Sequence, residues 1–457
     1  MLHQVSEFIK KISLTEKLLY LYIILIPVMR VPYLPFVGQK IQYSDIVFLF
    51  LFFYWLGQFL KGKKDFLSVP LKFPLISMLV LFIFSFLHSE HFLKSSIEYA
   101  GVLYLAGLYI LLSQLVDSQK VWWHLVKCWC VVSLLIALTG IGAYFISVIS
   151  GHHNFLVADH EFLGNANQHL VLRLTSIFRH PAMLTMYLHT SIVFGFILAT
   201  EKKNSKGSFL GYLVVVLCFI AAILTKTRCN AGIALTLFWV LAFIPKENIY
   251  ILILRYMSFI CALVLMVSAI LLTVWWILPI EVRRNVERQT VSIELNVLYQ
   301  PYFIHHISEM AIIRDFPLVG VGLGMYNRRQ GDYIRWDDVK KSYQQIYPNL
   351  QEKDKNVYKA VDPHSLYLGI GAETGLLGLG GMLFFFWQII VCFFRKLREK
   401  VDAQESYISG VFLAGFVGFL FNALYVDMLT VRSFWFLIAM GVIYISLNIH
   451  KKTALAE

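Results

Sequence analysis

Asp362-Pro363-His364-Ser365-Leu366-Tyr367-Leu368, followed by Glu373-Thr374-Gly375-Leu376-Leu377-Gly378, joins a long polar segment to a glycine-rich apolar run. The polar segment, 281–363, is unlike anything else in the chain. Its junction with an apolar helix predicts a histidine placed at a membrane surface.

Composition supports that reading. A chain of 457 residues that is 58% hydrophobic, 16% aromatic and only 15% charged, with a mean hydropathy of +0.67, is not a soluble globular protein. Apolar runs long enough to cross a hydrocarbon core of about 30 Å recur along its length. About twelve spans are expected. They lie near 18–36, 44–60, 73–87, 97–115, 121–150 and 181–198, in two spans that meet at the turn 224–230, at 249–280, and in three spans beginning near 364, 407 and 433. The first follows Lys10, Lys11 and Lys17 without a small-residue cleavage site, and reads as a retained anchor.

The net charge of +12 does not point to nucleic acid, because the cations mark topology. On alternate short loops, nineteen Lys and Arg fall on one side, including Lys61, Lys63, Lys64, Arg395, Lys396 and Arg398. Eight fall on the other: Arg30, Lys40, Lys94, Arg173, Arg179, Lys226, Arg228 and Arg432. The positive-inside rule then puts both termini in the cytoplasm and 281–363 outside. The organisation is nine spans in 1–280, one large exterior loop in 281–363 and three spans in 364–457, all in one integrated membrane domain. The six cysteines lie in or at the ends of apolar spans, with no CxxC pair, and suit small buried residues.

Two exterior turns carry cations where cations are costly. Arg173-Leu174-Thr175-Ser176-Ile177-Phe178-Arg179-His180-Pro181 precedes an apolar span, and Leu224-Thr225-Lys226-Thr227-Arg228-Cys229-Asn230 is a tight turn between two others. Guanidinium groups there suit bidentate contact with phosphate oxygens or snorkelling to lipid head groups. The stretch 151–181 also holds His152, His153, Asp159, His160, Glu161 and His169, whose spacing is poor for metal ligation and reads as a solvated loop. Trp122 and Trp123 suit an interfacial aromatic belt.

Within the long segment, Tyr302 to Ile313 alternates at helical spacing, and Asp315 to Tyr326 forms a glycine-punctuated turn. A lone GxGxG is weak evidence for phosphate binding. At the junction, Pro363 suits a first helical turn and Asp362 a cap, which would place His364 inside the helix. A histidine there can titrate near neutrality, as a general base requires. Glu373 lies nine residues on, about 900° and 13.5 Å along a straight helix, so it cannot meet His364. It reads as a buried packing or hydrogen-bonding group.

These motifs together resemble those of the O-antigen ligase and polymerase superfamily of bacterial envelope glycosyltransferases. The resemblance covers roughly 165–395 and is most specific over His364 to Gly378. It implies an all-α polytopic membrane protein of membrane glycosyltransferase (GT-C-like) architecture in the bacterial inner membrane, with one large periplasmic loop and a periplasm-facing site. The implied donor is a glycan on undecaprenyl diphosphate, with no metal or other cofactor. Ligases pass the glycan to lipid A-core, and polymerases pass it to another repeat unit, so the acceptor is a glycolipid or a glycan. Arg228 and Arg173 match arginines thought to hold the diphosphate, with Arg179 close by. His364 matches the histidine proposed to activate the acceptor hydroxyl or hold the donor. Tyr367 and Glu373 are supporting candidates. Where ligases often carry a further loop arginine this chain reads Gln300-Pro301-Tyr302-Phe303, and Arg288 is the candidate substitute. Ser176 stands where glycine is common. A transporter or flippase of lipid-linked sugar or small anions is the rival reading. It would predict two related halves and ionisable groups deep in paired spans, whereas here no internal repeat is seen and the charges gather at one face.

Overall fold

A computed structural model describes residues 12–30, 41–151, 154–160, 171–201, 205–242, 302–334, 363–399 and 403–456. The expected span over 249–280, Arg288, Asp362, His152, His153, Glu161, His169 and most of the expected large loop lie outside those residues. Thirteen α-helices are present among them: α1 Leu14–Leu25, α2 Tyr43–Leu60, α3 Lys72–His88, α4 Phe92–Leu115, α5 Gln119–Ser150, α6 Pro181–Ala199, α7 Ser205–Leu224, α8 Asn230–Ala242, α9 Tyr302–Asp315, α10 Tyr326–Tyr333, α11 Leu366–Arg398, α12 Ala403–Asn422 and α13 Arg432–Ala456.

Seven of them are long and apolar enough to cross a membrane: α2, α4, α5, α6, the 207–224 part of α7, α11 and α12. Shorter apolar helices occur at Lys72–His88, Asn230–Val240 and Arg432–Asn448. Large apolar side chains such as Phe50 and Phe53 on α2, Ile146 on α5 and Trp387 on α11 remain exposed on the helix surfaces, as a lipid-facing exterior requires. The chain is a polytopic, mostly helical membrane protein.

The expectation of an all-α chain needs one amendment. Val157–His160 (β1) and Val171–Leu174 (β2) pair antiparallel, with Ala158 opposite Arg173. The part of 151–181 expected to be a solvated loop is therefore a ribbon at these positions, anchored where the Thr175 and Ser176 N–H groups both donate to the Leu156 carbonyl. Trp122 also departs from expectation. It is fully buried, its indole N–H donating to the Met440 carbonyl at 2.8 Å, so it is core rather than belt.

The helices alternate in direction between two ends. One end is tied by Lys64 Nζ to the Gln114 carbonyl (2.7 Å) and by Lys127 to Glu201 (2.7 Å). At the other, Arg432 on α13 holds Asp45 on α2 through contacts of 2.8 and 2.9 Å, and also donates from Nε to the Tyr104 hydroxyl of α4 (3.3 Å), which bonds the Tyr22 hydroxyl of α1 (3.0 Å). This planar, two-pronged pairing satisfies a charge that would otherwise be buried alone. α6 runs through the centre and is buried from Leu184 to Leu198, with Thr185, His189, Thr190 and Ser191 hydrogen-bonded inside the bundle.

The main departure from regular helix lies in α11. Gly375 has φ 66 and ψ −173, so the element is two helices, 366–374 and 376–398, with a break between them. The segment 317–322 fills it. The Val321 and Gly322 N–H groups donate to the Ala372 and Glu373 carbonyls at 3.0 Å, and Leu376 and Leu377 donate to the Pro317 (2.8 Å) and Leu318 (3.3 Å) carbonyls. Ser85 of α3 donates to the Glu373 carbonyl (2.6 Å), and Ser95 of α4 to that of Leu323 (2.7 Å). Backbone polar groups opened within a membrane helix must find partners inside the protein, and here a neighbouring backbone supplies them.

Two stability tests follow from these contacts. Arg432→Ala should lower the stability of detergent-purified protein by roughly 3–5 kcal/mol in thermal unfolding, with the paired Arg432→Met/Asp45→Leu variant regaining most of it. At Gly375 the left-handed conformation is strained for alanine, and its Cβ would overlap the Leu318 carbonyl. Gly375→Ala should therefore cost roughly 2–5 kcal/mol. Gly380→Ala, which meets open space, is the control and should be near neutral.

Candidate functional site

The ribbon and the two cation-bearing turns meet at the end of the bundle where α6 begins. His180 caps α6, its Nδ1 accepting from the Ala182 N–H at 3.2 Å, and Pro181 opens the first turn. Arg30, after α1, clamps the approach by donating to the Phe178 carbonyl (3.2 Å) and the Thr175 hydroxyl (3.0 Å). Ser176 takes a left-handed φ of 49, a conformation that glycine adopts without strain.

The Thr-x-Thr-Arg turn is held by hydroxyls. The Thr185 hydroxyl of α6 lies 2.8 Å from both the Thr225 and Thr227 hydroxyls, and Thr225 also donates to the Ala222 carbonyl at 2.6 Å. Lys226 projects from the tip with φ 50. Arg173, on β2 and not on a helix, donates from Nε to the Thr225 carbonyl at 3.1 Å, which joins ribbon and turn. Burial first and Arg173 second push the Lys226 ammonium down to about 8. Cys229 senses both guanidinium groups: burial drives its thiol up to about 12, against the opposing pull of Arg173 and Arg228. Arg173, Lys226 and Arg228 therefore form one cationic group.

His364 joins this group from α11, though not as the capping residues predicted. The cap is Ser365, whose hydroxyl accepts from the Leu368 N–H at 3.4 Å, and the helix begins at Leu366. His364 lies outside the first turn because Ser365 satisfies that turn, while Pro363 packs against Gly369. Burial is the largest influence on the His364 ring, followed by His305, His306, His180 and Arg228, and together they push it down to about 3. It is a neutral imidazole facing three other histidines and Arg228.

The structure adds α9, whose helical spacing the sequence shows but whose inward face it does not. The His305 ring lies 5.1 Å from that of His364. His305 is buried, its Nδ1 paired with Gln330, and burial with the neighbouring His306 pushes it down to about 4. The buried Glu309 carboxylate accepts from His306 Nδ1 at 2.9 Å. Burial raises Glu309, opposed by His306 and by the main-chain N–H of His364.

The remaining candidates have other surroundings. Arg179 is exposed, one residue before the His180 cap. Tyr367 donates to the Leu420 carbonyl (2.8 Å), tying α11 to α12. Glu373 is a buried hydrogen-bonding group, its carboxylate accepting from the Gly324 (2.9 Å) and Tyr326 (3.3 Å) N–H groups at the start of α10. Gly320, Gly322 and Gly324 all have positive φ and serve this seating of the loop.

No family model matches the chain, and no curated protein matches it. Among solved structures it is similar to a chain in one described as "Structural coordination of polymerization and crosslinking by a peptidoglycan synthase complex", at 14% identity, 84% of this chain, 97% of that chain and a TM-score of 0.39. A likeness this distant carries no argument about the site.

The two depressed histidines make stability depend on acid. Between their folded values, about 3 and 4, and the ordinary 6.5, the unfolded chain binds more protons than the folded one. Stability is therefore full above about 6.5 and lost as pH falls. The melting temperature should be level between pH 7 and 8 and drop between about 6.5 and 4, and His305→Asn should flatten part of that drop. A wild-type curve level down to pH 4 would contradict the burial of these rings.

Proposed function

We propose that the protein is a membrane glycosyltransferase that moves a glycan from undecaprenyl diphosphate to an acceptor at the periplasmic face, as an O-antigen ligase does. Polymerisation onto another repeat unit is the same reaction with a different acceptor. The observation that carries this reading is the convergence of Arg173, Lys226 and Arg228 with His364. Four separate parts of the chain, β2, the 225–229 turn, the α6 cap and the start of α11, bring cationic or imidazole groups to one place.

A diphosphate leaving group matches that arrangement. Charge builds on the phosphate oxygens as the glycosidic bond breaks, and fixed guanidinium groups stabilise it most where water is scarce. An anion beside Arg228 would also offset the part of the His364 depression that Arg228 causes, which raises the affinity of the ring for a proton. The excess of Lys and Arg on the opposite short loops supports a periplasmic orientation for this end. Counting α1 as a span with the ten apolar helices above and a span over 249–280 would give twelve and leave both termini in the cytoplasm.

The test is envelope-glycan electrophoresis on a deletion strain carrying wild type, Arg228→Ala or His364→Ala, with membrane levels checked by immunoblot. Each variant should lower transfer by about 100-fold or more. Loss of long-chain glycan from lipid A-core, with lipid-linked polymer accumulating, identifies a ligase, whereas single-repeat products alone identify a polymerase. Wild-type glycan in both variants overturns the reading.

A further inference from the structure

Resting on the glycosyltransferase reading, we infer that His306, oriented by Glu309, takes the proton from the acceptor hydroxyl, and that His364 serves the donor side of the site.

The two histidines differ in what faces them. His364 meets His305 and His306 from α9, His180 from the α6 cap and Arg228 from the 225–229 turn, all of which oppose a positive charge on its ring. His306 meets the same His305 and His364, but it also has a carboxylate. Glu309 Oε2 lies 2.9 Å from His306 Nδ1, and the Glu309 side chain is fully buried while that of His306 remains 24% exposed. A buried carboxylate bonded to Nδ1 fixes the Nδ1–H tautomer, leaves the Nε2 lone pair to accept, and stabilises the imidazolium that results. Glu309 also acts on the Tyr326 hydroxyl, whose pKa burial first and Glu309 second push up, so that it stays protonated.

Glu309 also ties this pair to the rest of the site. The His364 main-chain N–H lies against the same carboxylate, so one buried anion sets both the His306 ring and the backbone that carries His364. Glu309 is a positioning residue on this assignment.

The step balances without a further reactant. The acceptor O–H proton passes to His306 Nε2 as the acceptor oxygen bonds the anomeric carbon. The bond from that carbon to the diphosphate oxygen breaks, and the electron pair leaves with the diphosphate beside Arg228 and Arg173. His306 then releases its proton to solvent.

The experiment uses membrane vesicles of the deletion strain, which hold their own lipid-linked glycan and acceptor, carrying full-length wild type, His306→Gln, Glu309→Gln, Glu309→Asp or Arg228→Ala. Transfer is followed from pH 5 to 8.5, and undecaprenyl diphosphate binding is measured separately on each purified protein in nanodiscs. At pH 7.5 His306→Gln and Glu309→Gln should lower the transfer rate by about 100-fold or more. Glu309→Asp should recover part of it. Undecaprenyl diphosphate binding should stay within about threefold of wild type in His306→Gln while falling in Arg228→Ala. If Glu309→Gln fails to reach the membrane, His306→Gln, altered at a partly exposed side chain, decides alone. A wild-type rate in His306→Gln overturns the assignment, and so does a binding loss as large as that of Arg228→Ala. Transfer lost in Arg228→Ala but kept in His306→Gln sinks this assignment only, whereas transfer kept in both sinks the glycosyltransferase reading as well.

Discussion

The hydrogen bonds between segment 317–322 and the opened backbone at Gly375 set the position of nearly everything at the site end. A helix interrupted within a membrane leaves carbonyl and N–H groups that cost several kcal/mol each if unpaired. The loop backbone answers the Ala372, Glu373, Leu376 and Leu377 groups one by one. Because backbone pairs with backbone here, the loop cannot slide without exposing them. The Glu373 carboxylate then takes the next two N–H groups, at Gly324 and Tyr326, and fixes the start of α10. α9 precedes the loop and α10 follows it, so both are held over the first turns of α11. His364 thereby meets His305 and Glu309 through a break eleven residues further along the chain.

Electrostatics place a second constraint on the same end. Arg432 has a carboxylate, which makes its burial structural. Arg173 joins the ribbon to the 225–229 turn through the Thr225 carbonyl, and threonine hydroxyls hold that turn. Burial first, and neighbouring cationic or imidazole groups second, lower the Lys226 and His364 values. The Thr185–Thr225–Thr227 hydroxyls and the Thr225 carbonyl restrain the turn against the repulsion. Such preorganisation favours an anionic guest over water, because the guest finds the charges already assembled.

Much of this was legible in the sequence. Arg173, Arg228 and His364 stood out as costly charges or a junction histidine, and Tyr302 to Ile313 carried a helical pattern that α9 bears out. Glu373 read as a buried hydrogen-bonding group from its phase on the helix, and it is one. Other features depend on tertiary contacts that leave little local trace. The four-residue strands β1 and β2 are too short to show a period. Glycines in an apolar run suit close helix packing as readily as a break, so Gly375 gave no sign of its conformation. Cap assignment slipped because Asp362, Pro363 and Ser365 all suit a helix start, and only the Ser365 hydroxyl bond decides. Adjacent His305 and His306 must point to different faces of α9, but which face turns inward depends on Tyr326, Gln330 and His364.

The arrangement also bears on how binding and proton transfer can be linked. His364 touches two environments at once: its ring faces His305, His306, His180 and Arg228, and its main-chain N–H faces the carboxylate that holds His306. On the glycosyltransferase reading proposed above, a diphosphate beside Arg228 would change the first by cancelling part of the positive field. The second is fixed by one buried side chain, since Glu309 bonds both the His306 ring and the main chain that carries His364.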